Sequence, residues 1–149
     1  MDELKRNYSI VSLSGKIVDE ANSFLKAALV KAGITDILPC HGDILYACFK
    51  KPGIKVTEIA KLTHRSKSTV SAMVDKLRAL GYLEKLADKN DPRAICIHPS
   101  KKALAMSEVF ENISSKMNAS FENKLSLEEI QTLESLLAKA LQSLQKEPD

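Results

Sequence analysis

The sequence predicts a mainly α-helical protein that contains one small β-hairpin. Apolar residues recur at steps of three and four near the N-terminus and again after residue 100, which is the spacing of amphipathic helices. Between these regions, two short apolar runs flank a segment rich in turn-forming residues, and this pattern indicates a hairpin. A chain of 149 residues suits one domain with a small core.

The first half of the chain divides into four helices. The first is expected over residues 8–31, and Gly33 is a plausible C-terminal cap. Its apolar stripe consists of Ile10, Leu13, Ile17, Ala21, Phe24 and Ala28. Pro39 suits the first turn of a second helix, which should end before Pro52 and Gly53. Two short helices follow in TEIAKLTHRSKSTVSAMVDKLRALG, from Thr57 to Gly81.

The second half begins with the hairpin. Two strands are expected at 82–86 and 94–98, on either side of the turn-rich residues 87–93. A long helix follows, with apolar positions at Ala103, Met106, Phe110, Ile113, Met117 and Phe121. The segment from Ser126 to Glu129 has the spacing of a capping box and opens a last helix. That helix carries Ile130, Leu133, Leu137, Ala140, Leu141 and Leu144.

The apolar stripes of the terminal helices are too long for the middle of the chain to cover. Two copies that pack their first and last helices together would bury these stripes. We therefore expect a homodimer and treat residues 1–149 as one domain, with dimerisation helices at 8–33 and 99–146 and a central lobe at 38–98. The alternative is that these helices pack on their own domain.

The composition of the chain indicates the cellular compartment in which the protein acts. No apolar run is long enough to span a membrane, and the N-terminus lacks the apolar core of a signal peptide, so we expect a cytoplasmic protein. Three cysteines without CxxC spacing fit reduced thiols.

Positive charge is concentrated in the middle of the chain. Residues 55–93 hold nine Lys and Arg and five acidic residues, a net charge of +4 against +3 for the whole chain. Such a local excess fits a nucleic-acid partner, although a solvated basic surface would look the same.

The two short helices have the pattern of a helix-turn-helix, in which the second helix inserts its N-terminal residues into the DNA major groove. Ala60 and Val70 have the spacing that a close helix crossing requires. Ile59 and Leu62 are expected to contribute to the core from the first helix. The buried stripe of the second helix is expected to be Val70, Met73, Val74, Leu77 and Leu80.

The opposite face of the second helix is polar. Ser66 is placed as its N-cap, which leaves helix-terminal amides free for a phosphate. Hydroxyl groups there can bind phosphates or base edges, and Ala72 can contact a thymine methyl group. The predicted DNA-binding residues of this segment are Arg65, Ser66, Lys67, Ser68, Thr69, Ser71, Ala72 and Lys76. The alternative is an ordinary solvated helix face.

The hairpin would then be a wing beside the recognition helix. Lys89 and Arg93 lie in its tip, and an arginine there can enter a narrow A·T-rich minor groove. Asp91 is expected to orient Arg93 through a charge-assisted hydrogen bond.

The chain resembles the MarR family of winged helix-turn-helix regulators over nearly its whole length. The resemblance is most specific in TEIAKLTHRSKSTVSAMVDKLRALGYLEK and in DKNDPRAICIHPS, where Asp91-Pro92-Arg93 matches the family's Asp-x-Arg wing signature. It implies an obligate dimer built from terminal helices, a palindromic operator in double-stranded DNA, and binding that is often relieved by a small ligand or by oxidation. We accordingly expect a sequence-specific transcriptional regulator, acting as a repressor.

The sequence departs from the family pattern at three places. Ala72 stands where many members carry an arginine that contacts bases, which implies fewer direct contacts with base edges. His64 and Arg65 replace the usual Gly and apolar residue of the turn. Residues 98–103 lack the usual Leu-Thr and terminal Gly.

The cysteines and histidines offer only weak evidence for a sensor. Cys40 beside His41, and Cys96 with His98, are ligand types that suit zinc, but neither pair has the spacing of a strong zinc motif. We expect no metal site and no cofactor. Cys40 is the best thiol for redox sensing, although a structural role is the default expectation.

Two other functions compete with DNA binding. The winged surface can instead be a protein-interaction module without DNA binding. An enzyme using Cys40 and His41 as nucleophile and base is disfavoured, since neighbouring helix residues point about 100° apart.

Overall fold

The computed structural model describes residues 8–145, and their helices and strands follow the predicted order. The helices are α1 (Ile10–Lys31), α2 (Gly42–Lys50), α3 (Val56–Thr63), α4 (Lys67–Ala79), α5 (Lys101–Glu122) and α6 (Leu127–Leu144). The strands are β1 (Leu83–Ala87) and β2 (Ile95–Pro99), each one residue later in the chain than predicted. A 3₁₀ turn at Pro39–His41 leads into α2. The predicted class, mainly helical with one hairpin, is confirmed.

Glycines end two of these helices as the sequence predicts for the first. After α1, Gly33 has φ +79°, its N–H donates to Val30, and the N–H of Ile34 donates to Leu29. This pair of bonds is a Schellman motif, and the side chains of Leu29 and Ile34 are both buried, as that motif favours. Gly81 ends α4 in the same way, because its φ is +86° and the N–H of Tyr82 donates to Leu77.

The crossing of α3 and α4 forms the centre of the core. Ala60 and Val70 are both buried, as predicted from their spacing, together with Ile59, Val74 and Leu77. Met73 and Leu80 pack partly against this cluster.

The expectation for Leu62 is wrong, because 66% of its surface is exposed. The inward face of α3 consists instead of Val56, Ile59, Ala60 and Thr63, which recur at helical spacing. Leu62 lies to the side of that stripe.

The hairpin is joined to the core through a third short segment. β1 pairs antiparallel with β2 in the register Leu83↔Pro99 to Ala87↔Ile95. Ile54, just before α3, forms a bridge to Ile97 on the free side of β2. Its carbonyl accepts from the N–H of Ile97, and the N–H of Gly53 donates to the carbonyl of Ile97. Because Ile54 and Ile97 are both fully buried, the base of the hairpin is part of the core and its position relative to α3 is fixed.

The chain forms two compact units, one up to Ile113 and one from Ser114 onward. In the second unit, Ser126 caps α6 with the predicted capping box: its hydroxyl accepts from the N–H of Glu129, whose carboxylate accepts from the N–H of Ser126. No side chain of α6 is buried. Among the helices of residues 8–145, none has the length and apolar character needed to cross a membrane.

The turn between α3 and α4 uses a left-handed residue that is not glycine. His64 has φ 53° and ψ 40°, and the N–H of Arg65 donates to Ala60 at 3.0 Å. The turn therefore keeps the geometry that glycine normally provides, at a conformational cost to the histidine.

We expect His64→Gly to raise the free energy of unfolding by about 0.5–1 kcal/mol, because relief of the left-handed strain exceeds the entropy that glycine adds to the unfolded chain. Denaturant titration measures the change. Lys61→Gly, on the exposed side of α3, is the matched control and should lower the same quantity by about 1 kcal/mol. A loss of stability in His64→Gly would show that the imidazole, and not the backbone angle, is what the turn requires.

Candidate nucleic-acid interface

The start of α4 is organised by the hydroxyl group of Ser66. This residue is the N-cap, as predicted, and its Oγ accepts from the N–H of Thr69 at 3.2 Å. The same Oγ lies 2.8 Å from Oγ1 of Thr69 and 3.2 Å from Oγ of Ser68. Three exposed hydroxyl groups are thus held together at the positive end of the helix dipole, an arrangement that suits a phosphate group.

The predicted contact residues of α4 have their side chains on its solvent-facing side. Lys67, Ser68, Thr69, Ala72 and Lys76 are exposed, and only Ser71 is half-buried. The face therefore offers two ammonium groups, a row of hydroxyl groups and the methyl groups of Thr69 and Ala72.

Arg65 is held by a partner that the sequence did not identify. Its Nη1 donates to Oδ2 of Asp43, at the start of α2, and the two atoms are 2.5 Å apart. This ion pair attaches the left-handed turn to α2. Arg65 is half-buried, unlike the exposed lysines among the predicted DNA-binding residues.

His41 lies behind this surface and adds no positive charge to it. Its side chain is buried, and Nδ1 accepts from the N–H of Leu38 at 3.0 Å. Burial lowers the pKa of His41, the positive charges of Lys76 and Arg65 lower it further, and Asp43 opposes them. The neutral imidazole acts as a hydrogen-bond acceptor that shapes the loop before α2.

The tip of the hairpin carries exposed cations on a braced loop. Lys89 and Arg93 are exposed. Oδ1 of Asp91 accepts from the backbone N–H of Arg93 at 3.0 Å, and Oδ1 of Asp88 accepts from the N–H of Asn90 at 3.0 Å. Asp91 thus acts on the backbone at Arg93, and its contact is with the amide rather than the guanidinium group.

Two ion pairs fix the hairpin to the helix-turn-helix, and sequence analysis missed both. Nζ of Lys55 lies 3.7 Å from Oδ2 of Asp88, which links the start of α3 to the hairpin tip. Lys85 of β1 pairs with Asp75 of α4. The charge pattern contained these residues, but it could not show which cations pair with which acids.

Comparison with known proteins identifies the fold and its relatives. The model of the MarR family matches residues 32–94. A Staphylococcus aureus MepR–DNA complex is 25% identical, with a TM-score of 0.76 over 94% of this chain and 100% of that one. Within residues 32–94 the chain thus resembles the MarR family, and its structural neighbours are winged-helix regulators of that family.

Two further members share the fold at lower identity. PcaV of Streptomyces coelicolor, in complex with its natural ligand, is 16% identical with a TM-score of 0.80, covering 97% of this chain and 100% of that one. A mutant MarR of E. coli complexed with operator DNA is 20% identical with a TM-score of 0.70, covering 92% and 99%. No curated protein matches the sequence.

The three cysteines of the chain lie in different surroundings. Cys48 is fully buried, and burial raises the pKa of its thiol to about 12. Cys96 is also buried, and Cys40 is exposed. Because thiolate character and access control oxidation, Cys48 is inert and Cys40 is the most accessible of the three. Within residues 8–145, no group of three or more His, Cys, Asp and Glu side chains is arranged to hold a metal ion.

Cys40 also borders a shallow groove along α1. The groove has a volume of about 300 Å³ and is lined by Asn22, Ser23, Lys26, Leu38, Pro39 and Cys40. Lys26 gives this lining a positive charge beside apolar carbon atoms.

Proposed function

We propose that this protein is a DNA-binding transcriptional regulator of the MarR type that binds a palindromic operator as a homodimer. The observation that carries this proposal is the capped start of α4, with its polar residues facing solvent next to the braced hairpin. A protein core has no use for such a surface, whereas a DNA groove matches both its charge and its shape.

The contacts divide into those that position the protein and those that select sequence. Lys67, Lys76 and Lys89 neutralise phosphates, and the amides at the start of α4 bind a phosphate next to Ser66. Ser68, Thr69, Ser71 and Ala72 meet base edges in the major groove, and Arg93 enters the minor groove. Arg65 contributes to DNA binding while its guanidinium group remains paired with Asp43. Asp91 holds the wing backbone in position for Arg93.

The homodimer is supported by the apolar surface of the terminal helices. Along α1, Ile10, Leu13, Ile17 and Phe24 are all exposed. Along α6, Leu133, Leu136, Leu137 and Leu141 are exposed. Monomeric proteins seldom leave such continuous apolar stripes in water, so a second copy is the natural cover.

A dimer bound at a promoter would repress transcription, and a small effector would relieve that repression. The groove bordered by Lys26 and Cys40 is the proposed place for an effector, and oxidation of Cys40 would act there too. We propose no catalytic activity for the chain.

The decisive experiment is selection of duplexes from a random pool with the purified protein, followed by titration of the recovered duplex over a range of salt concentrations. We expect an inverted repeat, and an affinity that falls steeply with salt because bound phosphates release counterions. The absence of salt-sensitive duplex binding would contradict the proposal and favour a protein-interaction module on the same scaffold.

A further inference from the structure

The end of α4 and the beginning of α5 meet in a cluster of hydrogen bonds that the DNA-contact surface does not include. We call this cluster the α4–α5 junction; it consists of residues 80–82, residues 100–103 and Asp36. All of these residues belong to the unit that ends at Ile113.

Ser100 joins the two helix ends through its backbone and its side chain. Its N–H donates to the carbonyl of Tyr82 at 2.9 Å, and its Oγ donates to the carbonyl of Gly81 at 2.6 Å. The same Oγ accepts from the N–H of Ala103 at 3.1 Å, which makes Ser100 the N-cap of α5. One residue therefore satisfies the amide end of α5 and a carbonyl group just beyond α4.

Lys102 makes a second connection, to the negative end of the α4 dipole. Its Nζ donates to the carbonyl of Leu80 at 2.9 Å and lies 4.2 Å from the centre of the Tyr82 ring. The same ammonium group lies 3.6 Å from Oδ2 of Asp36. One cation thus contacts a helix-terminal carbonyl, an aromatic face and a carboxylate, each of which attracts positive charge.

Tyr82 extends the junction to the loop between α1 and α2. The residue is almost fully buried, and its hydroxyl donates to Oδ1 of Asp36 at 2.7 Å. Burial raises the pKa of Tyr82, and the bond to the Asp36 carboxylate raises it further. The same hydrogen bond is the main cause of the lowered pKa of Asp36. The pair is therefore a neutral phenol that donates to a charged carboxylate.

The strength and the direction of these contacts indicate the role of the α4–α5 junction. Lys102 and Asp36 are partly exposed, so their ion pair adds little to the free energy of unfolding. The bonds are directional, however, and they reach the end of α4 from two separate segments, the α1–α2 loop and the start of α5. A shift or rotation of the C-terminal end of α4 would break the contacts of Lys102 and Tyr82 together.

We infer that Tyr82, Asp36 and Lys102 are positioning residues that fix the direction of α4, and hence how its exposed face enters DNA, without touching DNA themselves. This inference rests on the proposed function. Fixed placement matters for the specific complex, because base-edge contacts require exact geometry. Nonspecific phosphate attraction requires much less.

The test compares two affinities for each variant: one for the tightest duplex selected by the wild-type protein, and one for a scrambled duplex of the same composition. We expect Tyr82→Phe and Lys102→Met each to reduce the ratio of these affinities by about two- to thirtyfold, the range of couplings transmitted through packed networks. Affinity for the scrambled duplex should stay unchanged. Lys102→Met lies at the surface, so its result does not depend on how well the Tyr82 variant folds.

Controls separate positioning from stability. Tyr46→Phe removes the hydroxyl of an exposed tyrosine on α2 and should leave the ratio unchanged. Lys102→Arg keeps a cation with donors and should restore discrimination. In Tyr82→Phe combined with Asp36→Ala, the loss should not exceed that of Asp36→Ala alone, because Asp36→Ala already removes the acceptor of the Tyr82 hydroxyl group.

Three outcomes are distinguishable. Reduced discrimination by folded variants supports the inference. Unchanged discrimination in both Tyr82→Phe and Lys102→Met, with or without a lower melting temperature, overturns it and leaves the junction a purely structural feature. A wild-type protein that distinguishes no duplex from another overturns the proposed function itself.

Discussion

Replacing Leu137 with glutamate is expected to separate the dimer and abolish operator binding. Leu137 is 42% exposed in the single chain and lies on the apolar stripe of α6, so a second copy would bury it. A carboxylate without a partner in that interface would cost about 3–5 kcal/mol, which raises the dissociation constant roughly a hundred- to several-thousandfold. Sedimentation equilibrium should show the mass of one chain where the wild-type protein shows two.

Ser135→Glu provides the matched control for that experiment. Ser135 is exposed on α6 and lies about 160° around the helix from Leu137, so it faces away from the apolar stripe. The control adds the same charge to the same helix and should remain dimeric. If Leu137→Glu also remains dimeric at micromolar concentration, α6 is not part of the interface.

Replacing Arg93 with alanine should weaken operator binding by about 1–3 kcal/mol, or roughly five- to 150-fold, the range for one good groove contact. The guanidinium group is exposed at the tip of the hairpin, while the backbone there is held by Asp91 and Asp88. The substitution therefore removes a DNA contact without altering the loop. Fluorescence anisotropy titration of the selected duplex at constant salt measures the loss.

Lys139→Ala removes one positive charge from α6, far in sequence from the hairpin, and controls for net charge. Its affinity should stay near the wild-type value. Equal affinities for Arg93→Ala and wild-type protein would mean that the hairpin does not enter the groove. The proposed assignment of α4 would survive that result, since it depends on other side chains.

The elements that sequence analysis predicted well are those determined by local chemistry. Residues only a few positions apart determine the apolar helix stripes, the caps at Ser66 and Ser126, and the glycine that ends α1. The site surface on α4 followed from the same periodicity, because the face opposite Val70 and Val74 had to meet solvent.

The contacts that sequence analysis missed join residues that are far apart in the chain. Asp43 and Arg65 are 22 positions apart, and Asp36 and Tyr82 are 46 positions apart. Many acids and cations could pair at such distances, and only the packed fold selects among them. The error at Leu62 has a related cause, since in a helix as short as α3 a small rotation changes which residues face inward.

The ion pairs that hold the hairpin have a consequence for how binding data should be interpreted. Lys55–Asp88 and Lys85–Asp75 are partly exposed, so added electrolyte screens them as well as the attraction to DNA. Raising the ionic strength would weaken these two pairs, and with them the placement of the hairpin tip, while it displaces the protein from phosphates; the buried base of the hairpin stays in the core. A count of phosphate contacts taken from the slope of affinity against salt concentration would then be too high, and the excess should shrink in a variant whose hairpin is anchored by uncharged side chains.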